Sequence, residues 1–182
     1  MSVLGRLALA AAGLFAACAA HRPRGPSSVT ASVVRAGAQC GGEASGPSAR
    51  WIGSEGAFRA AMGAGGVFGT EAATPDFRKE GVLAVFMGQR PTAGYGLALH
   101  DPTVVIQDGV GKVVVRLEEP QPGAMVAQVL TSPCLLIRMP KQGIRQLRVV
   151  DPAGTQLASA NVGVLPEPRE RRPEDRYPPD KP

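Results

Sequence analysis

The chain has 182 residues, a formal net charge of +5, 4% aromatic residues, 23 Gly and 17 Pro. That length accommodates one domain with tails, and so much Gly and Pro suits short strands joined by many turns, with a core of Val, Leu and Ile. The basic residues are scattered and no aromatic residues interleave with them, which excludes a base-stacking nucleic-acid surface.

The first residues read as a targeting segment. Met1–Arg6 carries one positive charge, and Leu7–Ala17 is an eleven-residue apolar run ending in small residues. Such a run suits a secretory signal and is too short to span a bilayer as a mature helix. Leu14-Phe15-Ala16-Ala17-Cys18 has the form of a bacterial lipoprotein box, with Phe15 where Leu is usual. Residues 1–17 are therefore expected to be a signal peptide, and Cys18 the lipidated mature N-terminus. This places the protein in the bacterial cell envelope, anchored to a membrane through the lipid and facing the periplasm or the cell surface. Residues 18–48 then form a polar tether and lead-in, with a short strand at Val29–Val34.

Cys40 and Cys134 are the remaining cysteines. In an oxidising compartment they form a disulfide or stay as two unpaired buried thiols, and export favours the disulfide. It would close a loop of more than ninety residues, worth about 4 kcal/mol by chain entropy.

The packed domain is expected over 49–165, starting near Trp51. Ser54 is a good N-cap, Glu55 falls in the first turn, and Phe58, Ala61 and Met62 share one helical face, predicting a helix from Ser54 to about Ala64. Gly65 to Pro75 reads as loop, and Asp76-Phe77 leads into the next strand. Val82–Met87 is an unbroken apolar run of buried-strand length. Gln89, Arg90, Pro91, Thr92, Ala93 and Gly94 follow as a polar loop with Pro and Gly at turn positions. Tyr95, Leu97 and Leu99 then alternate as the next strand. Thr103–Gln107 and Lys112–Leu117 flank Asp108-Gly109, a strong hairpin signal. Pro120–Gly123 breaks the chain, Met125–Leu130 has strand character, and Cys134–Met139 is apolar except for Arg138. Leu147–Val150 and Thr155–Ala160 flank Asp151-Pro152-Ala153-Gly154 as a last hairpin. About eight strands, one helix and no βαβ alternation predict a mainly β, α+β fold. Its expected architecture is an antiparallel sandwich or partly open barrel with the helix on one side. The tail 166–182 mixes six prolines with five basic and five acidic residues and cannot bury a core.

Chemistry-bearing groups are few. His100 is the domain's histidine and precedes Asp101-Pro102, a turn start, which makes it a surface residue. Glu118 and Glu119 are adjacent on a strand and point to opposite faces, so they cannot act as a carboxylate pair. The sequence has no G-x-S-x-G, H-E-x-x-H, C-x-x-C, Walker A or G-x-G-x-x-G segment. A non-catalytic protein with no cofactor, no metal and no small-molecule substrate is the expectation, and the loop Gln89–Gly94 is the candidate contact site.

Asp76-Phe77, the apolar strand, Gly88-Gln89-Arg90-Pro91-Thr92-Ala93-Gly94-Tyr95, Pro122-Gly123 and Gln128–Pro133 together resemble the C-terminal domain of the protease complex subunit PrcB. Ala93 stands where that pattern usually has Gly. The resemblance covers about Asp76 to Pro140. It implies a non-catalytic exported or lipid-anchored subunit that associates with a surface protease complex and stabilises it, so that the partner is a peptidase. Pro91–Tyr95 is also similar to the P-T-T-G-Y loop by which chagasin-like inhibitors block cysteine peptidases. Arg90 and Leu97 replace the Asn and Trp expected there, and the G-x-G-G and R-P-W loops are absent, leaving inhibition as the alternative. An envelope lipoprotein with a purely structural role and no specific partner is a further alternative.

Overall fold

A computed structural model describes residues 25–40, 46–63 and 74–163. The expected signal peptide over 1–17, Cys18 and the rest of the expected tether before Gly25, residues 41–45, residues 64–73 and the tail beyond Gly163 lie outside the described residues.

Two long apolar runs form the centre. Strands β4 (Glu80–Phe86) and β8 (Cys134–Pro140) pair antiparallel from Glu80↔Pro140 to Phe86↔Cys134. β2 (Ser32–Gly37) adds to β8 and β3 (Ser48–Ile52) to β4, giving a four-stranded sheet in the order β2-β8-β4-β3. Alternate residues of the runs serve different layers. Leu83, Val85, Met87, Leu135, Ile137 and Met139 enter the main core, whereas Val82, Ala84, Cys134 and Leu136 join a second cluster with Ile52 and Phe58. Burial on both faces is why these strands lack polar alternation.

The second sheet supplies the other wall of the main core. β1 (Ser27–Thr30), β6 (Thr103–Gln107), β7 (Val110–Glu118), β9 (Gln146–Val150) and β10 (Gln156–Asn161) lie in that order. β5 (Gly96–Leu99) pairs with the far half of β7, from Gly96↔Glu118 to Leu99↔Val115. Val104, Ile106, Val113, Val115, Leu147 and Val149 point inward, and on β6 and β7 they alternate with more exposed residues. The β6–β7 hairpin turns at Asp108 and Gly109, with φ of 51° and 79°. Both central residues are left-handed, as a two-residue hairpin turn requires. β7 and β9 run parallel, because β8 crosses to the other sheet between them.

The helix α1 (Glu55–Gly63) begins as its sequence predicts. Ser54 Oγ accepts the Ala57 N–H at 3.2 Å, and Glu55 pairs with Arg59 one turn on. Phe58 is buried and meets Phe77 with ring centroids 5.5 Å apart, covering the outer face of the four-stranded sheet. Lys141 Nζ donates to the carbonyls of Gly53 and Phe77, tying the ends of β3 and β8 to the turn before β4.

The fold is therefore a two-sheet β-sandwich with one helix outside, the first of the two expected architectures, though not wholly antiparallel as expected, because β7 and β9 pair in parallel. Three further details differ from the sequence reading. Val29–Val34 is two strands, not one: the chain pairs with β6 up to Thr30, turns inward at buried Ala31, and pairs with β8 from Ser32. The sheets thus reach back to Ser27, into the stretch assigned to tether and lead-in. Ser48–Ile52 is a full edge strand. Met125–Leu130 is no strand and pairs with neither sheet; it belongs to the connection from β7 to β8.

The register gives the sandwich two poles. Ser27 lies opposite Ile106 and Asn161 opposite Gln146, so both ends of the described domain lie beside the Asp108–Gly109 hairpin. Gly96 and Glu118 mark the other pole, where the Gly88–Tyr95 loop and the Glu119–Pro133 connection meet. The nine residues of β7 separate the poles by about 30 Å.

Candidate functional site

The candidate loop leaves β4 at Gly88, whose φ is 80°. It is held against the β7–β8 connection by a short ladder. Arg90 N–H donates to the Thr131 carbonyl at 2.8 Å, Thr131 N–H donates to the Arg90 carbonyl at 2.9 Å, and Ala93 N–H donates to the Ala127 carbonyl at 3.0 Å. Thr131 is buried, and its hydroxyl donates to the Thr92 carbonyl at 3.0 Å. On its other side the same segment pairs with the end of β2: Cys40 N–H donates to Ser132 O and Ser132 N–H to Ala38 O. Gln39 Nε2 donates to Leu130 O at 2.8 Å. Residues 38–40, 130–133 and 87–92 thus form a small three-stranded array at this pole.

The disulfide Cys40–Cys134 closes the array, with Cα atoms 5.8 Å apart and a sequence separation of 94. Its sulfurs lie in the second apolar cluster.

Within the loop, the six candidate side chains divide. Gln89, Pro91 and Gly94 are exposed; Arg90, Thr92 and Ala93 are half-buried. Arg90 does not reach outward. Its guanidinium turns back, donating from Nη2 to the Met87 carbonyl at 3.1 Å and lying 5.8 Å from the centre of the Tyr95 ring, a cation–π distance. Tyr95 packs on the main core. Arg90 and Thr92 therefore shape the loop, and Gln89 and Pro91 are what it presents.

Gly94 has φ of 92°, and a Cβ there would sit 3.2 Å from Pro120 Cγ, so this position requires glycine. Ala93 has an ordinary negative φ, since Asp108 is the one non-glycine residue with positive φ among the described residues. The Ala93 departure from the family pattern is accordingly strain-free.

The connection itself is the part that sequence reasoning assigned to a strand. Met125 is 103% exposed, Leu130 64% and Val129 46%, while Val126 turns in toward Gly94. The signal that would have placed it at the site was present in Gln128–Pro133, which belongs to the same resemblance as the loop.

His100 and Asp101 lie at the β5–β6 bend, both exposed. The Asp101 carboxylate accepts the Thr103 N–H at 2.7 Å, which holds its pKa below the usual carboxylate value, assisted by nearby His100 and Lys112. This is a turn cap. Among the described residues no three His, Cys, Asp or Glu side chains are grouped to hold a metal ion.

Replacing Thr131 by Val keeps its shape and leaves the Thr92 carbonyl without its donor, so stability should fall by about 1–2 kcal/mol. Amide exchange at Arg90 and Ala93 should quicken with it; unchanged protection there would show that Thr131 does not hold the loop.

Fold and site together define a β-sandwich whose one pole presents a pinned polar loop beside an exposed apolar connection. Residues 82–140, from the start of β4's buried run to the end of β8, match the family described as PrcB C-terminal. This stretch is similar to a PrcB C-terminal domain, and the match contains both segments of the site. No curated protein and no solved structure matches the chain.

Proposed function

We propose that this protein is an exported, non-catalytic binding subunit, anchored to a membrane of the bacterial cell envelope through a lipid on Cys18, that associates with a surface peptidase complex and stabilises it. The observation that carries this reading is the PrcB C-terminal match over residues 82–140, which spans the loop and the connection beside it. Preorganisation supports it: the loop is fixed by the Thr131 ladder before any partner arrives, which lowers the entropy cost of association.

In an envelope extract the wild-type chain should retain peptidase activity, and the Gln89→Ala/Pro91→Ala double variant should retain about tenfold less. Equal retention by both would remove the loop from the interface. Adding the purified protein to papain-like peptidases separates this reading from direct inhibition, since a stabilising subunit leaves their activity unchanged. The anchor has its own test: palmitate should label the wild-type chain and not Cys18→Ala, and the variant should appear in the soluble fraction.

A further inference from the structure

Three of the five exposed large hydrophobic side chains among the described residues, Met125, Val129 and Leu130, occur within one six-residue stretch of the β7–β8 connection. Isolated exposed apolar residues need no explanation, but a cluster on one tip marks a contact surface. The stretch is also held in place, by Ala127 O to the Ala93 N–H and Leu130 O to Gln39 Nε2. Apolar side chains are therefore displayed on a fixed backbone.

We propose that Met125, Val129 and Leu130 insert into an apolar pocket of a partner protein, and that basic residues rim that pocket. The charge pattern selects this occupant over a lipid surface. Between Arg116 and Arg138 the chain has Glu118 and Glu119 and no Lys or Arg; both glutamates are exposed at the base of the connection, and since Glu118 pairs with Arg116 at 3.3 Å, Glu119 supplies the net negative charge there. Anionic headgroups repel such a tip, whereas membrane-inserting segments surround their apolar residues with Lys and Arg. The placement agrees: the tip lies at the pole opposite Ser27, where the chain enters the domain. The inference rests on the reading of this pole as a protein-binding site and adds a second contact segment with its own partner chemistry.

The test places the photo-reactive residue p-benzoylphenylalanine at position 125 of the full-length chain in its own cells, with position 105, an exposed valine on β6, as control. The expected result is one adduct with a different protein at 125, absent at 105, and reduced about tenfold by Leu130→Asp. Leu130→Asp should leave the thermal midpoint within a few degrees of wild type; should it not, Val129→Asp takes its place. An adduct with a peptidase supports both the docking tip and the proposed function. An adduct with a protein that is neither a peptidase nor in complex with one supports the tip and overturns the peptidase reading. A lipid adduct, a dimer of this chain, no adduct, or an adduct indifferent to the aspartate overturns the tip.

Discussion

Replacing Cys40 and Cys134 together by Ala should lower the unfolding free energy by about 2–5 kcal/mol. The bridge joins residues 94 apart in sequence, and a cross-link of that span removes much of the freedom of the unfolded chain. A second contribution is local. Cys134 is fully buried, and both sulfurs touch the cluster that includes Ile52, Phe58 and Leu136. Reduction of the wild-type protein keeps the sulfur atoms and releases only the cross-link; the double alanine variant also leaves a cavity. The two losses should therefore rank, with the alanine variant the less stable. The reduced form should also show a steeper dependence on urea, because its unfolded chain exposes more surface. Coincident urea midpoints for oxidised and reduced protein would sink the claim that the bridge stabilises the fold.

Gly81→Ala should destabilise by about 1–3 kcal/mol, although Gly81 lies inside a strand where alanine is ordinarily the better residue. Trp51 pairs with Leu83 across β3 and β4, so its indole reaches diagonally over Gly81. A Cβ built on Gly81 would overlap the Cζ2, Cη2 and Cε2 atoms of that ring. The glycine is the floor on which the tryptophan lies, an aromatic residue covering a strand glycine. The sign should reverse once the ring is gone. In a Trp51→Ala background, itself costing about 3–5 kcal/mol, Gly81→Ala should be neutral or stabilising by up to about 1 kcal/mol. A double-mutant cycle followed by circular dichroism measures this coupling. Additive losses would mean that the ring and the glycine do not share the space.

The parts of this fold visible in the sequence are those set by local chemistry. Asp108-Gly109 specifies its turn because both residues tolerate positive φ. Ser54 specifies a helix start because its hydroxyl can take an orphan N–H. The runs at β4 and β8 announce strands buried on two faces. What stayed hidden depends on partners distant in sequence. Val29–Val34 reads as one strand because nothing in its apolar pattern marks the change of sheet at Ala31. Met125–Leu130 has strand-forming residues, but propensity yields to tertiary context, and the segment is held by the loop and Gln39 rather than by a sheet. At the site, the limits of the loop were legible from Gly88, Pro91 and Gly94. Which side chains faced out was not, since Arg90 is turned inward by the Met87 carbonyl and the Tyr95 ring, and Thr131 lies far along the chain.

The change of sheet at Ala31 also sets a timetable. β1 and β2 are synthesised first among the strands, yet neither has a neighbour in its own vicinity. β2 waits for β8, where Arg138 Nε meets Ser32 Oγ across a separation of 106 residues. Pairings of that range are slow, because a long loop must close before the contacts return anything. The sandwich cannot be completed until Asn161 has been made, and until β8 exists β2 and β4 lack the strand that lies between them. A chain of this topology spends its early life open, in need of protection from its neighbours.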